Sequence, residues 1–254
     1  MIYTFGDGFA TGHIWPEWPQ MLELITQQPV ENYGQIGAGN EYIFNCAVRA
    51  AINSPSSDIF VVQWALPFRF DKLIEDDSWA EIIQTDNIYN NNFGNIGGKK
   101  WWLSSNSKLD VIKHYANFYV QSEQLLNRTV LHMITLNKLL ESKNIKHCYF
   151  FTYNVDYSTH DLCESVESLP WTANVSMEDY STRFSNRGVQ IQPSPIVHLN
   201  FTIDNILPAL NLSVDQIILD KIKNYFDKID FFPYHFDREQ QLADIKNEIS
   251  LFFK

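Results

Sequence analysis

Apolar and polar positions along the 254-residue chain fall into two textures. Short unbroken apolar runs at Ile2–Phe5, Asp58–Ala65 and His147–Tyr153 read as strands covered on both faces, as in a parallel sheet. Between them, apolar residues recur at helical spacing. Pro16 to Thr26 carries Trp18, Met21, Leu22, Leu24 and Ile25 behind a proline start. Glu41 to about Asn53 carries Ile43, Phe44, Ala47 and Ala51, with Asn40 expected as its N-cap. A short extended piece, Val30–Tyr33, and a glycine-rich turn from Gly34 to Gly39 separate the two helices. The alternation predicts an α/β fold of three layers, with a central, mostly parallel sheet and helices on both faces.

After Arg69 the pattern loosens. Residues 84–108 are rich in Asn, Gly and Ser and read as a long excursion from the domain. Leu109 to Glu141 is strongly helical, residues 154–199 read as loop-rich, and Val214–Ile229 and Phe236–Phe253 are amphipathic helices that close the chain. The stripes Ile218, Ile222, Phe226 and Ile245, Ile249, Phe253 are either core or an interface with another chain, which includes a second copy of this one. The expected organisation is one α/β domain over residues 1–210 and a helical extension, 211–254, packed on it.

Charge narrows the function classes. With 19 Lys+Arg against 30 Asp+Glu the net charge is -11, and the only dense basic spot is Lys99-Lys100, so a general nucleic-acid binder is excluded. Cys46, Cys148 and Cys163 have no CxxC spacing and suggest neither a disulfide framework nor a zinc knuckle. The opening residues lack a basic, signal-like region, and Ile59–Phe68 is too short and interrupted to span a bilayer. The expectation is a cytoplasmic-type protein without membrane contact. His160-Asp161-x-Cys163 holds too few ligands for a metal site. Gly6-x-Gly8-x-x-x-Gly12 has the wrong last spacing for a dinucleotide fingerprint, and no Gly-Lys-Ser/Thr phosphate loop exists. No cofactor is expected.

Four short blocks carry a resemblance. Phe5-Gly6-Asp7-Gly8-Phe9-Ala10-Thr11-Gly12 is similar to the first block of the SGNH (GDSL-type) hydrolase superfamily, Gly-Asp-Ser-Phe-Thr-x-Gly. Tyr33-Gly34-x-x-Gly37-x-Gly39-Asn40 resembles its second block, a donor to the oxyanion hole. Val61-Val62-Gln63-Trp64, with Arg69 downstream, resembles the third block in the phage-type branch. Gln190-Ile191-Gln192-Pro193-Ser194-Pro195-Ile196-Val197-His198-Leu199 resembles the last block, Asp-x-His-Pro-Ser-Pro-x-x-His-Leu. The resemblance implies an SGNH/flavodoxin-like sheet and a groove near Asp7, Gly8, Gly37, Asn40, Trp64 and Arg69.

It also implies lost chemistry. The family's serine, aspartate and histidine fall on Gly8, Gln190 and Gln192. Glycine has no side chain to acylate, and glutamine cannot act as a general base. The backbone N–H groups of Gly8 and Gly37 still suit an anion. His198 and the pair His235 and Asp237 are the weak candidates for relocated catalytic groups, with Thr11 and Ser194 as hydroxyls. The leading expectation is a catalytically inactive structural or recognition component, with other protein chains as partners. By resemblance to the phage-type branch, it belongs to a virion. The alternatives are an esterase or acetyl-hydrolase with relocated residues, and a carbohydrate-binding module that uses the old groove. For the latter, Trp15, Trp18, Trp101 and Trp102 would offer stacking surfaces to glycans, against a plainer role in packing.

Overall fold

A computed structural model describes residues 1–11, 16–67, 69, 71–74, 93–96, 99–103, 122–158, 160–172, 175–182, 193–226 and 243–247. Four parallel strands form the main sheet: β1 (Ile2–Phe5), β2 (Val30–Asn32), β3 (Ile59–Trp64) and a later strand, Lys146–Phe151. Three further strands intervene in the chain: β4 (Asp71–Ile74), β5 (Phe93–Ile96) and β6 (Lys99–Leu103), so Lys146–Phe151 is β7. The main sheet has the order β2-β1-β3-β7, in which the chain adds β2 on one side of β1 and β3 on the other. That reversal makes the C-terminal ends of β1 and β3 the topological switch point, the place where open α/β sheets commonly hold ligands.

Alternation along the strands assigns the two faces. Ile59 and Val61 of β3, and Cys148 and Phe150 of β7, join one core cluster; Phe60, Val62 and Trp64, and Tyr149, join the other. The first face is covered by α1 (Trp18–Thr26) through Trp18, Met21, Leu22 and Ile25. The second is covered by α2 (Asn40–Asn53) and α3 (Ser122–Ser142), which also pack on each other. The result is the three-layer α/β fold that the pattern predicts. The region expected to be loop-rich contains short helices, α4 (Cys163–Glu167), α5 (Met177–Thr182) and α6 (Pro195–Phe201). A π-helical turn (Thr202–Ile206) and α7 (Leu207–Ala209) continue α6.

The helix α8 (Gln216–Phe226) buries Leu219, Ile222 and Phe226 in the same cluster as Ile2 and Trp18, and Ile245, within the helical residues 243–247, joins them. Lys246 reaches Glu23 of α1 in an ion pair. The stripe through Ile222 and Phe226 is therefore core, and so is Ile245.

Two expectations change. Within the Asn/Gly-rich stretch, Phe93–Ile96 and Lys99–Leu103 pair antiparallel with each other, and β4 pairs with β6, giving a second sheet of order β4-β6-β5. Asn40 does not cap α2. Gly39 occupies that position, and the Asn40 side chain turns to the end of β3, accepting from Ala65 N (2.8 Å) and donating to Ala65 O (3.0 Å). A strand-end backbone pair was a better partner for a buried amide than one helix N–H, because it satisfies both of its polar ends.

Candidate functional site

The C-terminal edge of β1 and β3 is closed by one continuous polar network. Asp7, 1% exposed, follows β1 in a tight turn whose Ala10 N–H returns to Asp7 O (2.9 Å). Its Oδ1 accepts from Phe9 N (3.1 Å) and from Gln63 Nε2 (2.8 Å), and its Oδ2 accepts from Arg69 Nη1 (2.7 Å). Gln63 is the one polar side chain in the buried β3 run, and it is fully used. It donates to Asp7 and to Thr152 Oγ1 (2.7 Å) and accepts from Trp18 Nε1 (2.8 Å). One amide thus links β1, α1, β3 and the residue after β7. Gly6 leaves the room: a Cβ there would lie 2.7 Å from Gln63 Oε1.

The neighbouring β2–α2 loop is equally committed. Asn32 Oδ1 accepts from Thr4 Oγ1 (3.0 Å) and Gly34 N (2.9 Å), and its Nδ2 donates to Ala10 O (2.7 Å). Gly37 turns the chain with φ 83°, a conformation costly for other residues. The first turn of α2 is held from afar by Asp71, whose two oxygens accept from Gly39 N (3.0 Å) and Tyr42 N (2.9 Å). A carboxylate from β4 therefore does the work expected of a local cap and ties the second sheet to the main body.

That position makes Asp71 sensitive to pH. Burial pushes its carboxyl up to about 7, while the two amide N–H groups and Arg69 pull the other way. An unfolded aspartate titrates near about 3.9. Between these values the folded protein keeps a proton that the unfolded chain releases, so this contribution to stability falls as pH rises and is lost above about 7. Asp71→Asn removes the titration. The stability of the variant relative to the wild type should therefore rise from pH 5 to pH 8, by up to about 1.4 kcal/mol per pH unit. Urea denaturation across that range measures it, and parallel stability–pH curves would contradict it.

Among the residues expected to line a groove, Asp7, Gly37, Asn40 and Trp64 are buried, while Gly8 and Arg69 are partly exposed. Trp64 lies wholly in the core, 6.1 Å from Tyr149. Trp18 is also core, donating to Gln63 rather than offering a surface. Gly12, Trp15, Gln190, Gln192, His235 and Asp237 lie outside the described residues, as do the side chains of Trp101 and Trp102.

None of the four described histidines hydrogen-bonds to the network around Asp7. His132 stacks on Phe44 at 4.3 Å, where burial holds it down to about 4. His147 bonds Asn137 and the Ile145 carbonyl. His160 Nδ1 accepts from Leu162 N and faces Asp161, while the Cys163 thiol turns to Glu167; the three do not converge on one point. His198 sits in α6, 1% exposed, and burial pushes it down to about 3, so it is neutral. Ser194, at the start of α6, is also buried. Among the described residues no cluster of three His, Cys, Asp or Glu side chains could hold a metal ion, and no helix is long and apolar enough to cross a membrane.

A recess lies one strand over, at the end of β7. A cleft of about 540 Å³ is lined by aromatic Phe150, Phe151, Tyr157 and Trp171 and by polar Asn154, Asp156, Ser158, Glu167 and Ser176, with Val155 and Val175. It is joined to the polar network through Thr152, and Tyr153 packs against Phe9 at 5.8 Å. The sequence pattern does not reveal this cleft, since its residues come from the end of a strand and from separate segments of the following stretch, which reads as loop. The signal was the strand's own C-terminal end, where such sheets place ligands. No protein-family model matches the chain, and no curated protein matches it either.

Proposed function

We propose that this chain is a non-catalytic α/β module that acts as a structural or recognition component and engages other protein chains. By its resemblance to the phage-type SGNH branch, we assign it to a phage particle. The observation that carries the reading is the state of the groups beside Gly8. The position of the nucleophile has no side chain, and the adjacent Asp7 spends both carboxylate oxygens on Arg69, Gln63 and the Phe9 amide. A general base must come within hydrogen-bond reach of the proton it takes, and Asp7, 1% exposed, is turned into the protein by these three bonds. The donors and acceptors here instead satisfy one another, as a buried structural network requires. The described histidines add support, since none of them hydrogen-bonds to Asp7 or to the network around it.

The test is covalent. A fluorophosphonate probe phosphonylates an activated serine or threonine with loss of fluoride, so intact-mass analysis of the folded protein should show no added mass. A stoichiometric adduct on any serine or threonine, Ser194 and Thr11 included, would overturn the reading.

A further inference from the structure

We propose that the cleft at the end of β7 is a receptor for one basic side chain, an arginine, presented by a partner protein. The inference deepens the recognition role above and rests on it.

The walls are aromatic and pre-arranged. Phe151 and Trp171 stack with centroids 4.8 Å apart at 23°, and Tyr157 leans on Phe151 at 6.2 Å. Trp171 is fixed by its Nε1–H on Val166 O (2.7 Å). The flanking backbone is stitched to β7 through Tyr149 N on Pro170 O (3.0 Å) and Thr172 N on Tyr149 O (2.9 Å). A guest therefore orders little on entry, which preserves affinity. The volume lies in the range of clefts that bury small organic groups.

The charge of the rim selects the guest. Asp156 and Glu167 line the mouth; among the described residues no Lys, Arg or His lines the cleft, and neither carboxylate is in an ion pair. Asp156 Oδ1 is taken by Ser158 N (3.0 Å) and Ser158 Oγ (2.7 Å), and Glu167 Oε1 by Cys163 Sγ (3.4 Å). Two ring and thiol groups sense the field. Burial first, and then the Glu167 charge, push the Tyr157 phenol up. The Cys163 thiol is raised by desolvation, by its bond to Glu167 and by the Glu167, Glu164 and Asp156 charges.

This potential disfavours an anion, and the chain's net charge of -11 adds to it over distance. A planar guanidinium satisfies both features together: it stacks on aromatic faces and forks onto carboxylates, which a compact ammonium does less well. The rim residues Asn154, Asp156, Ser158 and Glu167 are exposed, so a side chain projecting from another protein can reach the cleft.

The experiment is an NMR titration of the full chain with N-acetyl-arginine methylamide, with the blocked lysine, blocked glutamate and methyl glucoside as comparison probes. Blocked arginine should shift the amides of residues 150–158 and 167–176 with a dissociation constant on the order of 1 mM. Blocked lysine should bind more weakly and blocked glutamate not at all. The double variant Asp156→Asn, Glu167→Gln, at exposed positions, should weaken arginine binding about tenfold, and 0.5 M salt should weaken it in the same direction. No shift with blocked arginine, equal binding by the double variant, or shifts with the glucoside alone would each overturn the proposal. Fluorophosphonate labelling separates it from the reading beneath it. An adduct with arginine binding intact refutes only the non-catalytic role, and no adduct with no binding refutes only the arginine site.

Discussion

Gln63→Leu should destabilise the protein by about 3–6 kcal/mol, because it strands several buried polar groups at about 1–3 kcal/mol each. The side chain of Gln63 is wholly buried, and its three hydrogen bonds go to Trp18 Nε1, Asp7 Oδ1 and Thr152 Oγ1. Leucine nearly matches its volume, so the loss measures the unpaired polar groups and not a cavity. Asp7 suffers most, since it keeps a buried charge with one donor fewer. Gln63→Glu gives a sharper contrast. Its carboxylate could still accept from Trp18, but its second oxygen would face Asp7 Oδ1 where Nε2 now lies at 2.8 Å. Two carboxylates at that separation cannot both ionise, so the variant should lose further stability as pH rises above the acid range. Chemical denaturation at pH 5 and pH 8 reads both effects. A Gln63→Leu variant within about 1 kcal/mol of wild type would show that the network contributes little.

Arg69→Ala should cost about 2–4 kcal/mol, somewhat less than the about 3–5 kcal/mol for breaking a fully buried pair. The asymmetry of the pair sets that figure. The Asp7 side chain is 2% exposed and that of Arg69 21%, so water screens the cation but not the anion it leaves behind. Arg69 also donates to Ala38 O (3.2 Å), which anchors the loop before α2. In a double-mutant cycle with Asp7→Asn, the coupling between the two positions should be about 2 kcal/mol, well above additivity. An additive cycle would mean that Asp7 is held by Gln63 and the Phe9 amide alone.

How much of this was legible depended on whether the physics was local. β3 reads directly from Ile59–Trp64, since a strand buried on both faces has no polar positions to spare except one that must be satisfied. Gln63 stands out there for the same reason, although nothing in the sequence names Trp18 or Thr152 as its partners. The helices α1 and α2 follow from apolar spacing, and the three-layer architecture follows from their alternation with strands. The cap of α2 was misread because a side chain at its first residue is a local signal, whereas Asp71 reaches it from another sheet. The second sheet escaped because β5 and β6 lie in Asn- and Gly-rich sequence without clean alternation. The cleft at β7 escaped because Phe151, Asp156, Glu167 and Trp171 meet only once the chain has folded.

We propose that the edge beside Gly8 holds the fold together and catalyses nothing. Steady-state hydrolysis of p-nitrophenyl acetate and of an acetylated sugar, by the folded wild type and by Asp7→Ala, tests it most directly. The account predicts rates equal to the buffer background for both proteins, with Asp7→Ala differing only in stability. Turnover by the wild type that disappears in a folded Asp7→Ala variant would contradict it.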